Sequence, residues 1–149
     1  MKTLQTGDAA PDFTLFDQNG NAFNLKAQQG QKLIVYFYPK DESAVCTKEA
    51  CAFRDSFAEF EDLGAKVVGI NAGSVEEHKA FAVKNRLPFT LLSDPGNLVL
   101  RAFGIKPVLF LTGRETFIID EQGKIVFSFR AFLSGAAHPR KVLDFLAKG

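Results

Sequence analysis

The stretch KLIVYFYPKDESAVCTKEAC, from Lys32 to Cys51, decides the fold class and contains both cysteines of the 149-residue chain. Its first seven residues form a continuous apolar, β-favouring run, which is typical of a strand buried on both faces of a sheet. Pro39 ends this run, because proline cannot donate to the strand's hydrogen-bond ladder. A helical pattern follows, so the stretch predicts a strand, a short loop and a helix, which together are one unit of an α/β sheet.

This helix is predicted from Cys46 to Leu63, with Gly64 after its end. Ser43 is the predicted N-cap, which leaves Cys46 near the third helical position, among backbone N–H groups with no intrahelical acceptor. The apolar side chains recur at helical spacing and form one stripe: Cys46, Ala50, Phe53, Phe57 and Phe60. The stripe predicts that this side of the helix, Cys46 included, packs on the sheet.

The rest of the chain repeats the alternation of strands and helices. DFTLFDQNGNAFNL, from Asp12 to Leu25, alternates apolar and polar residues around a QNGN turn and predicts an N-terminal β-hairpin. KVVGI at 66–70 and TFIID at 116–120 are further strands, and IVFSF at 125–129 is the hairpin partner of TFIID. The predicted architecture is a central mixed sheet flanked by helices, in a single domain over residues 1–149.

Three further helices are indicated by their boundary residues. Ser74 and Glu77 have capping-box spacing, so a helix begins there. SDPGN makes a turn into a short helix that ends near Gly104, and Pro139 opens a last helix.

Composition excludes several classes of function. Eighteen Lys and Arg against 17 Asp and Glu give a net charge of +1, which argues against nucleic acid or an anionic membrane as the main partner. No apolar run approaches the ~20 residues of a membrane span. The N-terminus has no apolar signal region, and two cysteines cannot staple a secreted scaffold, so the cytosol is the predicted compartment, with the mature form of a plastid protein as the alternative.

The two cysteines are the candidate chemistry. At a helix N-terminus the dipole and the free N–H groups favour a thiolate, and the thiolate is the nucleophile. Lys40 and Lys48 add positive charge, which Asp41, Glu42 and Glu49 offset. The alternative interpretation of Cys46 is a small buried hydrophobic residue. Zinc is not favoured, because the chain has only two histidines, His78 and His138, both in segments that read as surface, and no CxxC spacing.

The spacing of Cys46 and Cys51 sets a geometric condition. Five positions on an α-helix are separated by about 140° and ~7.5 Å of rise, hence roughly 8.6 Å between Cα atoms. A disulfide requires less than about 7 Å. A bond between these two cysteines therefore requires the first turns of the helix to unwind.

YFYPKDESAVCTKEACAFRD resembles the active-site segment of the peroxiredoxins, and is closest to the peroxiredoxin Q or bacterioferritin comigratory protein subfamily. The family motif, Pxxx(T/S)xxC, is met by Pro39, Ser43 and Cys46. HKAFAVKNRLPFTLLSD and GRETFIID also match, with Arg114 at the position of the family's arginine. The segment from Gly104 to Arg114 and the tail AFLSGAAHPRKVLDFL are more similar to the plant and cyanobacterial branch. The likeness covers nearly the whole chain and implies a thioredoxin-like fold.

The resemblance also implies a mechanism. Cys46 would be the peroxidatic cysteine, which attacks hydrogen peroxide or an alkyl hydroperoxide and becomes a sulfenic acid. Arg114 would stabilise the developing charge, Ser43 would hydrogen-bond the peroxide, and Pro39 would shield it. Cys51 would resolve the sulfenic acid to an intramolecular disulfide, which thioredoxin or a related dithiol protein reduces. No metal or other cofactor is implied, and the protein is expected to act as a monomer.

Two points remain open in the sequence. The subfamily usually has Thr-Pro-Gly-Cys, whereas this chain has Ser43-Ala44-Val45-Cys46; serine keeps the hydroxyl, and the loss of Pro and Gly changes the stiffness of the loop. The alternative function is a non-enzymatic thioredoxin-fold module, such as a redox sensor or a copper-delivery protein. Copper chaperones of this fold have CxxxC, however, and this chain has CxxxxC.

Overall fold

The structure, a computed structural model, describes residues 4–41, 43–105, 114–131, 135 and 137–148. Within these residues seven strands form one sheet: β1 (Thr14–Asp17), β2 (Ala22–Asn24), β3 (Lys32–Phe37), β4 (Ala65–Asn71), β5 (Thr90–Ser93), β6 (Glu115–Ile119) and β7 (Ile125–Arg130). Their order is β2-β1-β5-β4-β3-β6-β7. Strands β3, β4 and β5 run parallel, and the other neighbours pair antiparallel. The predicted mixed sheet is confirmed.

Five helices accompany the sheet in the described residues: α1 (Ala44–Asp55), α2 (Phe57–Asp62), α3 (Val75–Asn85), α4 (Leu98–Ala102) and α5 (Ala137–Ala147). A 3-10 turn, Pro95–Asn97, leads into α4, as SDPGN predicts. The capping box of α3 is confirmed, because Ser74 and Glu77 bond each other's backbone N–H. Helix α5 begins two residues before Pro139, which its first turn tolerates. None of these helices is long and apolar enough to cross a membrane.

The prediction of one helix from Cys46 to Leu63 is wrong in one respect. The helix is interrupted at Ser56, whose φ of −101° and ψ of 8° separate α1 from α2. The apolar stripe nevertheless continues across the break, since Phe57 packs against the core and Phe60 is fully buried. Periodicity alone therefore gives no signal for the interruption.

Strand β3 is buried on both faces, as its continuous apolar run predicts. Tyr36 points to the face covered by α1, and its ring centroid lies 4.5 Å from that of Phe53. Phe37 points to the opposite face, 5.0 Å from the ring of Phe103. Two hydrophobic cores thus lie on either side of the sheet. The chain leaves β3 between these cores and enters the loop that precedes α1.

The N-terminal hairpin is confirmed, with Asp17 at its turn. The Asp17 Oδ1 atom accepts hydrogen bonds from the backbone N–H groups of Asn19 and Asn21, both at 2.9 Å. Strand β5, which no sequence pattern predicts, pairs β1 antiparallel and β4 parallel and so joins the hairpin to the sheet. Only four residues long and nearly all buried, β5 shows no alternation of polar and apolar residues.

Candidate active site

Cys46 lies at the N-terminus of α1, where the sequence predicts it. Ser43 is the N-cap, and its Oγ atom accepts a hydrogen bond from the Cys46 backbone N–H at 3.2 Å. The Ser43 hydroxyl also lies 3.4 Å from the Lys40 carbonyl oxygen, to which it donates. Cys46 is 1% exposed. The Cys46 sulfur therefore lies on the side of the first helical turn that faces the core, and the neighbouring Ser43 is half-buried.

Arg114 brings a permanent positive charge to this sulfur. It immediately precedes β6, it is 2% exposed, and its Nη2 atom donates to Cys46 Sγ at 3.0 Å. Burial acts to lower the pKa of Arg114, but the charges of Glu49 and Cys46 outweigh burial and raise this pKa above its ordinary value. The guanidinium stays protonated and stabilises a negatively charged sulfur. Arg114 is therefore a buried residue of the site and not a surface arginine.

Glu49 is the second partner of Arg114. Its carboxylate accepts a hydrogen bond from Arg114 Nη1, and the residue has no exposed surface. Burial raises the pKa of Glu49 to about 8, against the opposing effect of Arg114. The second carboxylate oxygen, Oε2, is buried and has no hydrogen-bond partner among the described residues. Burial therefore opposes a full negative charge on Glu49, and the charge of Arg114 also acts on Cys46.

His138 closes the site from α5 and is fully buried. Its Nε2 atom lies 2.9 Å from the Ala131 carbonyl oxygen, which can only accept, so Nε2 carries the ring hydrogen. Burial lowers the pKa of His138 to about 4, and the neutral ring accepts a hydrogen bond at Nδ1 from the Thr116 hydroxyl at 2.7 Å. Glu49 Oε2 lies 3.6 Å from the same Nδ1 atom.

The prediction that both histidines belong to surface segments is wrong. His78 is fully buried as well, with Nδ1 2.6 Å from the carboxylate of Asp41. Asp41, counted in the sequence among the charges that offset the lysines, is itself buried. Among the described residues no group of three or more His, Cys, Asp or Glu side chains could hold a metal ion.

Cys51 lies on the same helix as Cys46 but contacts a different element. Its Sγ atom is half-buried, 3.8 Å from Asn85 Oδ1 at the C-terminal end of α3. Arg54 Nη1 donates to the Asn85 carbonyl oxygen at 2.8 Å, which ties the next turn of α1 to the same residue. Both cysteines are free, and α1 is helical from one to the other.

Pro39 is half-buried in the loop between β3 and α1, two residues before Asp41. The structure thus brings Cys46, Arg114 and Ser43 together, with Pro39 in the adjoining loop and Cys51 apart. Most of the segment between Gly104 and Arg114, which carries part of the likeness to the plant branch, lies outside the described residues, as do residues 132–134 and 136 of the tail.

Glu49 and Asp41 are the site residues that sequence reasoning missed. One signal was available for Glu49: it lies three residues after Cys46 and one before Ala50, so a helical projection places a carboxylate on an apolar stripe. No comparable local signal exists for Asp41, whose partner His78 is 37 residues away.

Comparison with known proteins places this geometry in context. The model of the AhpC/TSA family matches residues 6–128. Chloroplastic peroxiredoxin Q of Sedum lineare is 46% identical over 142 residues, which are 94% of this chain and 76% of that protein. Over 96% of this chain, peroxiredoxin Q of Arabidopsis thaliana is also 46% identical, and 67% of that protein is covered.

Solved structures show the same likeness. Peroxidoxin BcpB of Mycobacterium tuberculosis superposes with a TM-score of 0.90 at 36% identity, over 97% of both chains. The bacterioferritin comigratory protein of Xanthomonas campestris, described for its alkyl peroxide reduction activity, superposes with a TM-score of 0.87 at 33% identity, over 97% of this chain and 96% of that one. The predicted thioredoxin-like fold is thereby confirmed.

Proposed function

Because the chain belongs to the AhpC/TSA family and is a thiol-dependent peroxidase, we propose that Cys46 is its peroxidatic nucleophile and Cys51 its resolving cysteine. The observation that carries this proposal is the 3.0 Å contact between Arg114 Nη2 and Cys46 Sγ at the N-terminus of α1. A buried cation contacts that sulfur, which also lies at the positive end of the α1 dipole. The Cys51 sulfur, by contrast, contacts the neutral carboxamide of Asn85, and Cys51 is half-buried.

In the first step the Cys46 thiolate attacks the outer oxygen of the peroxide. The S–O bond forms as the O–O bond breaks, and the departing oxygen takes a proton and leaves as water or an alcohol. The sulfur becomes a sulfenic acid. Arg114 stabilises the charge that moves from sulfur to the leaving oxygen, a role that buried, preorganised donors fill well. Ser43 turns its hydroxyl to the bound peroxide, and Pro39 shields it from water.

The second step joins the two cysteines. The Cys51 thiolate attacks Cys46 Sγ, the hydroxyl leaves as water, and an intramolecular disulfide forms. Residues five apart on an intact helix are too distant for this bond, at roughly 8.6 Å between Cα atoms. The segment from Thr47 to Cys51 therefore unwinds, which takes Cys51 away from Asn85. A dithiol protein of the thioredoxin type then reduces the disulfide with two electrons.

The alkyl hydroperoxide activity described for the Xanthomonas campestris relative supports organic hydroperoxides as substrates here, together with hydrogen peroxide. We propose that the protein is a single-domain monomer. We also propose that it works in a reducing compartment, the cytosol or a plastid, because its cycle depends on a reduced dithiol partner. Gel filtration of the reduced protein tests the monomer: elution as a dimer would contradict it.

The roles of the two cysteines are tested by peroxide consumption with thioredoxin, thioredoxin reductase and NADPH. Cys46→Ser should abolish consumption. Cys51→Ser should react with one equivalent of peroxide and leave Cys46 as a sulfenic acid that a dimedone probe traps, but should not turn over through a disulfide. Normal turnover of the Cys51 variant with thioredoxin would overturn the assignment of the resolving cysteine.

A further inference from the structure

We propose that the buried Asp41–His78 pair positions the peroxide-binding loop, so that Asp41 and His78 are positioning residues for the reaction at Cys46. This inference rests on the proposed function, because it concerns the loop residues Pro39 and Ser43 of that same site. It assigns a chemical role to two buried titratable residues that the mechanism above does not use.

The carboxylate of Asp41 fixes the loop from the inside. Asp41 lies between Pro39 and Ser43 in the chain, and it is 7% exposed. Its Oδ2 atom lies 2.6 Å from His78 Nδ1, and its Oδ1 atom accepts a hydrogen bond from the Tyr38 hydroxyl at 2.7 Å. The Asn71 side-chain amide also approaches Oδ1, at 3.5 Å. Three separate elements, the end of β3, the end of β4 and α3, thus hold one loop side chain.

His78 is held as firmly as the carboxylate it contacts. Its Nε2 atom lies 3.1 Å from the Leu92 carbonyl oxygen, which can only accept, so Nε2 carries a hydrogen. The 2.6 Å contact between Nδ1 and Asp41 Oδ2 is a hydrogen bond as well, so both ring nitrogens of His78 are held. A Cβ atom added at Gly73 would come within 3.1 Å of His78 Cε1, so the backbone at Gly73 packs against the ring and limits its rotation.

Helix α3 supplies a rigid base for this contact. Its capping box ends at Glu77, one residue before His78, so the histidine projects from a well-ordered first turn. Ser93 Oγ donates to the Gly73 carbonyl oxygen at 2.7 Å and ties the preceding loop to the end of β5. The position of Asp41 is consequently fixed relative to the sheet rather than to α1.

The consequence concerns Ser43, two residues after Asp41. Ser43 both caps α1 and carries the hydroxyl proposed to bind the peroxide, so a displaced loop moves the hydroxyl and the helix N-terminus together. A misplacement of about 1 Å in a reacting geometry costs as much as a hundredfold in rate. Since Asp41 acts through the loop, its contribution depends on hydrogen bonding and shape, and an uncharged isostere should supply most of it.

Three variants test the inference in a single-turnover measurement of Cys46 oxidation by hydrogen peroxide. Asp41→Ala removes all contacts of the carboxylate and should slow this step about tenfold to a hundredfold. Asp41→Asn keeps an acceptor for Tyr38 and offers an N–H to His78 Nδ1, so it should recover most of the rate. His78→Gln tests the contact from α3 and should slow the step as well; this variant decides the matter if Asp41→Ala does not fold.

The matched control is Asp120→Ala, which removes two hydrogen bonds to the backbone of the β6–β7 turn, at the opposite end of β6 from Arg114 and the loop. It should lower the melting temperature and leave the rate of Cys46 oxidation unchanged. Equal rates for Asp41→Asn and Asp41→Ala would overturn the positioning role. An effect of Asp41→Ala on the rate that is no greater than that of the control would overturn it too. Failure of the proposed function appears separately, as peroxide consumption by Cys46→Ser.

Discussion

Among the described residues, two buried pairs of a carboxyl group and a histidine accompany Cys46, and their geometries differ. In the pair Asp41–His78 the carboxylate lies 2.6 Å from Nδ1, within hydrogen-bond distance. In the pair Glu49–His138 the corresponding distance is 3.6 Å. Burial raises the pKa of Glu49 to about 8 and lowers the pKa of His138 to about 4, so it favours the uncharged form of both groups in the second pair.

The difference arises from the partner of Nδ1. In both histidines Nε2 donates to a backbone carbonyl oxygen. Nδ1 of His78 meets a carboxylate, whereas Nδ1 of His138 already accepts from the Thr116 hydroxyl. Glu49 is left with Arg114 as its hydrogen-bond partner. The same two kinds of ionisable group, a carboxyl and an imidazole, thus make a rigid anchor in one place and a titratable support for an arginine in the other.

Removing Arg114 should have the largest effect, because it takes the cation from both Cys46 and Glu49. Arg114→Ala should slow Cys46 oxidation about 10²- to 10³-fold, as the loss of a preorganised donor does elsewhere, and should move the reactive range of Cys46 to higher pH. Arg114→Lys should retain only part of the wild-type rate, since lysine lacks the planar guanidinium fork. The measurement is the pH–rate profile of single-turnover oxidation. An unchanged profile for the alanine variant would return Arg114 to a structural role.

Oxidation should separate the two pairs, because only one lies in the segment that unwinds. Glu49 lies between Thr47 and Cys51, whereas Asp41 and α3 lie outside. Hydrogen exchange should therefore become at least tenfold faster for amides 44–52 in the disulfide form and stay slow around His78. The disulfide form should also be the less stable one, since a loop this short gains little from closure. Equal protection of amides 44–52 in both forms would contradict unwinding.

Glu49→Gln should change the pH dependence of stability, with a smaller effect on rate near pH 7. The folded-state pKa of Glu49, about 8, lies above its ordinary value of 4.5. Its contribution to stability is therefore complete below about pH 4.5 and is lost as pH rises through 8. Glutamine stays neutral, so the wild type should lose stability relative to the variant over this range. Urea unfolding from pH 5 to 9 measures the difference, with exposed Glu61→Gln as the control.

His138→Asn should have the smallest effect on catalysis, and its effect on the pH dependence of stability should be confined to acid pH. The folded-state pKa of His138, about 4, lies below its ordinary value of 6.5. Its contribution is present above pH 6.5 and is lost as pH falls through 4, up to about 3 kcal/mol in all. Asparagine does not titrate, so the free energy of unfolding of the variant should fall less steeply from pH 6.5 to 4. Parallel plots of unfolding free energy against pH for the wild type and the variant would contradict the lowered pKa of His138.

Much of the fold followed from local patterns. The buried strand β3, both hairpins, the Ser43 cap and the capping box of α3 each have a signal within a few residues, and all are confirmed. The short strand β5 was missed, since its four buried residues lack a period.

The residues that support the site could not be predicted in this way. A polar side chain read from one sequence is assigned to the surface by default, because burial without a partner is costly. The partners here are distant in the chain: Arg114 is 65 residues from Glu49, and His78 is 37 residues from Asp41. Only the sheet brings them together, at the ends of β3, β4 and β6.

The packing of α1 also bears on electrochemistry. Helix α1 can be intact only while Cys46 and Cys51 are free, and intact it buries Cys46 and Ala50 against Phe53 and the sheet. The free energy that the intact helix contributes to stability is therefore lost on oxidation. This loss raises the reduction potential of the Cys46–Cys51 disulfide by about 30 mV for each 1.4 kcal/mol. We expect a disulfide that accepts electrons readily, so that the helix that prepares Cys46 for peroxide also commits the oxidised protein to its reductant.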